Sequence, residues 1–406
     1  MTLPITWPLT TPLTQPLSLP LGSAFGKGKA QPWSSGPFSL LGNAIGSTYN
    51  HTSICRLDPN GRLWALAGQS ATLTCYDVSS GTPIKLAEIS DSSVMAGLSD
   101  VMFSADGHWA WTCAETSAAI TLWDISTAAS GTISKITSLA DATGLAGATR
   151  LSMNPAGTHA CCSTNGRRGL YIVALNNPAL GQAPTLVIEY RGATPNTTFR
   201  GMRCNIWVDA TTIYYCCENT AVNTWCVGQV SVDLVTPAVT DVWHKDPSID
   251  ANYKAAKGVI LNTTDNLLYW QVGTGSGTHG ATVISDTSGN TQGQYAPAGG
   301  TNSSPGSLFN ARCGVRVNWN SRKFLITNAE VPCNLMIVEV TTAASPNDVA
   351  HTQGPVPLTT LNGSMWLVVI ATADPNVFNV WVACFSEDGN PNQGIQGVKL
   401  DFSKLS

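Results

Sequence analysis

The sequence predicts an all-β fold, a seven-bladed β-propeller with an extended Pro-rich N-terminal arm, and three observations lead there. Charged residues make up only 11% of the 406, while Gly (37), Pro (23) and Trp (13) are plentiful. Long solvated helices draw on Ala, Glu, Lys and Leu, so this balance excludes an all-α or coiled-coil protein. A 43% hydrophobic content excludes disorder throughout. Second, the chain after residue 36 repeats itself about every fifty positions. Third, the last copy of the repeat stops one strand short, and a segment ahead of the first copy can supply that strand.

The first element, residues 1–35, is an arm and a linker. Prolines fall at Pro4, Pro8, Pro12, Pro16 and Pro20, each followed by Ile or Leu. Proline removes backbone donors and biases its predecessor to extended backbone, so neither a helix nor a central strand fits. In an extended chain with a side-chain period near two, a four-residue repeat puts the prolines on one face and the aliphatics on the other. Fully extended, such a segment reaches about 65–75 Å. It has no second layer of its own on which to bury the aliphatic face, and proline backbone lowers the ordering cost of docking. Leu3, Ile5, Trp7, Leu9, Leu13, Leu17 and Leu21 are therefore the candidate partner-binding residues. Gly22 to Gly36 then reads as a flexible linker, with the propeller expected over 36–406.

Each blade opens with an apolar strand, a polar turn and a second strand: ICRLDPNGRLWALAG, VMFSADGHWAWTCA, LSMNPAGTHACCST, CNIWVDATTIYYCCE, VILNTTDNLLYWQVG, VRVNWNSRKFLITN and LVVIATADPNVFNVWVAC. The turns align at Asp58, Ser104, Asn154, Asp209, Asn262, Asn318 and Asp374, spaced by 46, 50, 55, 53, 56 and 56 residues. Asn, Asp, Pro and Gly at these places are hairpin-turn chemistry. A third strand ends in an acid between apolar residues at Asp77, Asp124, Asp233, Glu339 and Asp401; the third copy has Ala174 instead, and the fifth, ATVISD, is shifted. Fourth strands stand out in IKLAEI, TISKITSL, TLVIEY and VTDVWHK. Four strands per repeat describe propeller blades. The seventh copy ends its third strand at Phe402, and PFSLLG, from Pro37 to Gly42, is placed to close the ring and remove the open edge.

This pattern, with its SADG turn and the Trp123-Asp124 dipeptide, resembles the WD-repeat and lactonase-type propellers over about residues 37–406. It departs from WD repeats in lacking their histidine network. The run from Ser104 to Gly107 also lacks the residue that a sialidase Asp-box places between Asp and Gly. The opening PLTTPLTQPL resembles the N-termini of tailed-bacteriophage virion proteins, including minor tail and fibre components. That resemblance implies a particle subunit assembled in a host cytoplasm.

Chemistry is sparse. The six histidines, His51, His108, His159, His244, His279 and His351, fall in different repeats with no metal-ligand spacing, so neither metal nor cofactor is expected. His108 and His159 sit beside second-strand hydrophobics and read as structural. One acid per blade at the third-strand end is what a structural role in turns predicts. The one irregular cluster, Asp246, Asp250 and Lys254, reads as an exposed loop. Basic residues are sparse, with Arg167-Arg168 and Arg322-Lys323 the dibasic steps, and net charge is −4, so nucleic acid is not an expected partner. No Lys or Arg precedes Lys27 and no apolar run approaches a membrane span, which leads to the expectation of a protein made in a cytosol.

The twelve cysteines show no CxxC spacing, and Cys55, Cys113, Cys204 and Cys384 lie in apolar strand patterns, as small buried hydrophobes do. In the vicinal pairs Cys161-Cys162 and Cys216-Cys217 strand alternation sends one thiol to each face, and one of each pair is expected in the core. Trp111, Tyr269 and Trp381 share one blade position with Cys161 and Cys216, which marks core between blades. The Gly/Ser/Thr-rich stretch from Gly273 to Gly306 is either a weakly stranded fifth blade or a long loop suited to contacts.

The expected function is a non-enzymatic structural or binding subunit of a phage-like virion, present in many copies. Residues 1–35 would dock onto other virion structural proteins, and the propeller would be displayed as an accessory or adhesion module toward a host surface glycan or receptor. Two alternatives stay open: a propeller hydrolase of lactonase or glycan-cleaving type, whose acids would be assembled from distant blades, and an intracellular scaffold propeller.

Overall fold

A computed structural model describes residues 30–31, 37–45, 52–192, 199, 201–217, 226–245, 253, 255–272, 281–295, 313–329, 334–340, 346–352, 364–384 and 394–405. The candidate arm residues Leu3, Ile5, Trp7, Leu9, Leu13, Leu17 and Leu21 lie outside the described residues, as do Asp246, Asp250 and Lys254.

The fold is a seven-bladed β-propeller. Blade I is an antiparallel meander of Thr52–Leu57, Leu63–Ala67, Thr72–Asp77 and Ile84–Ser90. Blades II to V repeat it from Leu98–Phe103, Ala148–Met153, Met202–Trp207 and Ala256–Asn262 as innermost strands. Blade VI runs outward from Gly314–Trp319 through Arg322–Ala329 and Asn334–Val340 to Pro346–Thr352. Blade VII has Ser364–Ala371, Val377–Cys384 and Gly394–Asp401, and its fourth strand is Phe38–Ile45. Each innermost strand packs beside the next, and that of blade VII meets that of blade I, so the ring is closed.

The closing strand comes from the segment that the sequence nominates. Phe38 faces Leu400 and Ile45 faces Gly394 in an antiparallel ladder. A register shift between Leu40 and Asn43 frees carbonyls that buried Gln396 answers, its amide donating to the oxygens of Leu41 at 3.1 Å and Gly42 at 3.3 Å. Phe38 sinks into the core between blades VI and VII. Within the expected linker, Ala30–Gln31 pairs in parallel with His351–Thr352 on the outer edge of blade VI.

Burial falls from the axis outward, and the sequence follows it. Second strands such as Leu63–Ala67 are buried at every position, whereas the fourth strand Ile84–Ser90 alternates between exposed and covered. A middle strand has a neighbouring blade on both faces, so it needs no polar side. The hydrophobic interior is accordingly seven separate cores, one between each pair of adjacent blades. This corrects the expectation for the vicinal cysteines. Cys161, Cys162, Cys216 and Cys217 are all fully buried, because alternation sends one thiol of each pair to the core on one side of its blade and the other to the core behind. Ten of the cysteines within the described residues are buried and lie outside any disulfide. Trp111, Tyr269 and Trp381 also lie in these inter-blade cores, as expected.

The stretch from Gly273 to Gly306 holds both outer strands of blade V, Ala281–Asp286 and Thr291–Tyr295, so it is a blade and not one long loop; residues 273–280 and 296–306 lie outside the described set.

Candidate functional site

Turn acids and channel groups divide the polar chemistry of the ring between them. Asp77, Asp124, Asp233 and Asp401 each accept from the backbone N–H two residues on, at 2.8–3.1 Å, and fix the turn after the third strand. Asp286 does the same in blade V with the N–H groups of Ser288 and Asn290, although its repeat is hard to see in sequence. Glu339 differs: it takes a bidentate pair from Arg322 at 2.6 and 2.8 Å. These acids are occupied in holding turns and strands, as one acid per blade suggests. Trp123 of the Trp-Asp dipeptide donates its indole N–H to Thr112 Oγ1 at 2.8 Å within the same blade.

The described histidines are dispersed. His108 is exposed beside Asp106, His159 bonds the Thr158 hydroxyl at 2.9 Å, and His244 meets Asp241 at 2.9 Å. Among the described residues no three His, Cys, Asp or Glu side chains are placed to share a metal ion.

The central channel holds the one concentration of buried charge that the turns do not explain. A cavity of about 460 Å³ lies on the axis, and the innermost region of every blade contributes to its wall. Arg56 of blade I reaches Asp100 of blade II through two hydrogen bonds of 2.7 Å. Asp100, fully buried, also accepts from the backbone N–H of Val101 at 2.9 Å and of Leu151 at 3.0 Å, tying three blades together. Arg150 of blade III is 9% exposed and donates to the carbonyls of Ser99 at 3.1 Å and Thr149 at 2.8 Å. Trp366 of blade VII meets both guanidiniums, with its ring 5.1 Å from the Arg56 carbon and 4.8 Å from that of Arg150. A guanidinium over an indole face gains cation–π attraction.

Cys204 of blade IV, 4% exposed, is part of the cavity wall. The neighbouring Cys216 thiol and the charges of Arg150 and Arg56 together outweigh burial and draw the Cys204 thiol below the ordinary thiol value. Its surroundings treat the other thiols differently: burial pushes Cys313, also on the cavity wall, up to about 12. Asn205 completes the wall, donating to the Arg150 carbonyl and the Ser163 hydroxyl and accepting from Ser152.

A recurrent backbone device aims these groups. In blades I to V and VII the ladder between first and second strands slips by one residue near its start. The residues just past the slips include Asp100, Arg150, Cys204 and Trp366. A bulge bends its strand and re-aims the side chain that follows. The skipped residues Ser99 and Thr149 use their hydroxyls to bond the backbone of the next blade at Ala148 and Met202. The sequence reading leaves Arg56, Asp100, Arg150 and Trp366 unmarked. The available signal was charge inside apolar strands, in ICRLD, SDVMF and TRLSM.

No protein-family model and no curated protein matches this sequence. Solved propellers match its fold. Hydrazine synthase of Kuenenia stuttgartiensis is 12% identical over 88% of this chain and 96% of its own, with a TM-score of 0.59. Virginiamycin B lyase from Staphylococcus aureus is 13% identical, covering 89% of this chain and 99% of its own at a TM-score of 0.55. The C-terminal WD40 domain of Sif2 is 11% identical, covering 92% and 99% at 0.52. At these identities the likeness is one of fold.

Proposed function

We infer that this chain is a non-enzymatic structural and binding subunit of a phage-like virion, a displayed ring tethered by its N-terminal arm to neighbouring virion proteins. The observation that carries this reading is where the chain leaves the ring. Phe38–Ile45 is the outermost strand of blade VII and Ala30–Gln31 lies along the outer edge of blade VI, so the described chain begins at the circumference. A segment that starts at the rim and repeats proline with an aliphatic every fourth residue is suited to lie along a groove of another subunit. The ring's own acids support a binding role over hydrolysis: the turn acids are held by backbone N–H groups, and the channel's Asp100 is spent on Arg56 and two backbone donors.

The test is removal of residues 1–29, which leaves every described residue in place. The truncated protein is expected to keep its β circular dichroism and its monomeric elution while losing co-sedimentation with particles. Equal co-sedimentation of both forms, or none by the full chain, overturns the reading. In the second case the hydrolase alternative is taken up with a lactone and glycan substrate panel.

A further inference from the structure

Two guanidiniums meet at Trp366 on the channel wall, and the one carboxylate beside them, that of Asp100, is committed to Arg56. Among the described residues Arg150 has no carboxylate within ion-pair distance, although it is nine-tenths buried. A largely buried cation favours an anionic neighbour, because screening by solvent is reduced there. Cys204 is the group able to provide one. It belongs to the cavity wall, and the neighbouring Cys216 thiol and the charges of both guanidiniums lower its thiol from the ordinary value. Cys204 and Cys216 are also direct partners in the antiparallel ladder between Met202–Trp207 and Thr212–Cys217, and both side chains lie in the same inter-blade core. Facing residues of such a ladder have Cα atoms about 4.5–5.5 Å apart, within the roughly 4.4–6.8 Å that disulfides span.

We propose that Cys204 is a hydroperoxide-reactive thiol opening on the central channel and that Cys216 resolves it, closing a cross-strand disulfide within blade IV. The Cys204 thiolate attacks one oxygen of hydrogen peroxide; the O–O bond breaks, the sulfur is oxidised to a sulfenic acid, and the departing hydroxide leaves as water on taking a proton from solvent. The Cys216 sulfur, losing its own proton, then attacks the sulfenic sulfur. The S–O bond breaks, the S–S bond forms, and a second water is released. One peroxide is reduced by two electrons and two thiols are oxidised, so the step needs nothing beyond the peroxide. Arg150 acts as a positioning residue that keeps the attacking sulfur ionised. Cys161 and Cys313 are the competing thiols, since each is close enough to feel the Cys204 charge, but neither is its ladder partner.

The experiment treats the full-length protein with equimolar hydrogen peroxide, blocks remaining thiols with N-ethylmaleimide in denaturant, and cleaves at Asp209, which separates the two cysteines. Mass spectrometry is expected to find Cys204 joined to Cys216 as the main product, with the other cysteines alkylated. Cys216→Ser is expected to leave a sulfenic acid on Cys204 that a cyclic 1,3-diketone traps several-fold more than in the parent, and Cys204→Ser to abolish both products. Oxidation spread over many cysteines, a bond from Cys204 to Cys161 or Cys313, or no loss of thiol overturns the proposal. The first readout uses the unaltered chain, so it stands whether or not a variant folds.

Discussion

Asp58 accepts hydrogen bonds from the backbone N–H of Asn60 and Arg62, from the Arg62 guanidinium and from the indole of Trp64, all in a place only 3% exposed. Arg62 in turn reaches the carbonyls of Gly107 and Ile125 at 3.3 Å, so one carboxylate in a hairpin turn fastens blade I to blade II. Asp58→Ala would strand that guanidinium, and stability is expected to drop by about 3–5 kcal/mol in urea unfolding. A loss under about 1 kcal/mol would mean that water replaces the carboxylate. Asp265 fastens blades V and VI in a more open setting. Burial alone would raise its carboxyl, but the Lys323 ammonium at 2.5 Å, the Asn262 amide and the Arg316 guanidinium hold it below the usual carboxylate range. A depressed folded value stabilises above the unfolded one, about 3.9, and that contribution disappears as pH falls through the folded value. Asp265→Asn should therefore cost a constant amount at neutral pH and progressively less in acid, read as urea midpoints against pH. A difference that persists unchanged in acid would count against the ion pair. At this scale the sequence was partly legible. Asp58, Asn154 and Asp209 stand out as turn residues because a side-chain acceptor two or more positions ahead of its donor is a local matter. Asp100 and Arg150 do not, because their partners are 44 and 51 positions away and a bulge decides where they point.

At the scale of elements, what the sequence showed and hid follows from how local each cause is. First and second strands are joined by short Asx-type turns and are apolar on both faces, so they repeat visibly. The outermost strand of blade V, Thr291–Tyr295, is built mostly from Thr, Gln and Gly, and its ladder partner, not its own composition, makes it a strand. The closing strand was legible by arithmetic, since a blade was one strand short. What sequence did not show is how closely it fits. Gly397 lies opposite Trp381, and a Cβ there would come within 2.8 Å of both the Trp381 ring and the Leu41 Cβ, so a glycine seats the indole beneath the closing strand. Removing residues 1–45 would bare the Gly394–Asp401 edge, and a long unpaired edge recruits another strand. This form is expected to self-associate in light scattering, and a peptide spanning 38–45 is expected to return it to the monomer. A truncated protein that stays monomeric without the peptide would show that the third strand tolerates an open edge.

Seen whole, the molecule is a ring of seven cores rather than one, and it uses few charges. Lys85, Glu88, Lys135 and Glu189 sit on fourth strands, where the circumference meets solvent, and among second strands Arg322–Ala329 alone carries charged residues, Arg322 and Lys323. This geometry explains why an 11% charged sequence can present a polar exterior. It also separates two roles in space, a rim where the described chain begins and an axis where Cys204, Arg150 and Trp366 meet. The strand that closes the ring has a consequence in time as well. Phe38–Ile45 leaves the ribosome before any blade, yet its partner Gly394–Asp401 is among the last segments made. At about 5–20 residues per second, the early strand waits about 20–70 s with no ladder to join. Six blades can pair internally during that interval while the seventh cannot, so the nascent ring is a sticky open crescent until its final residues emerge, and a chaperone's opportunity lies in that window.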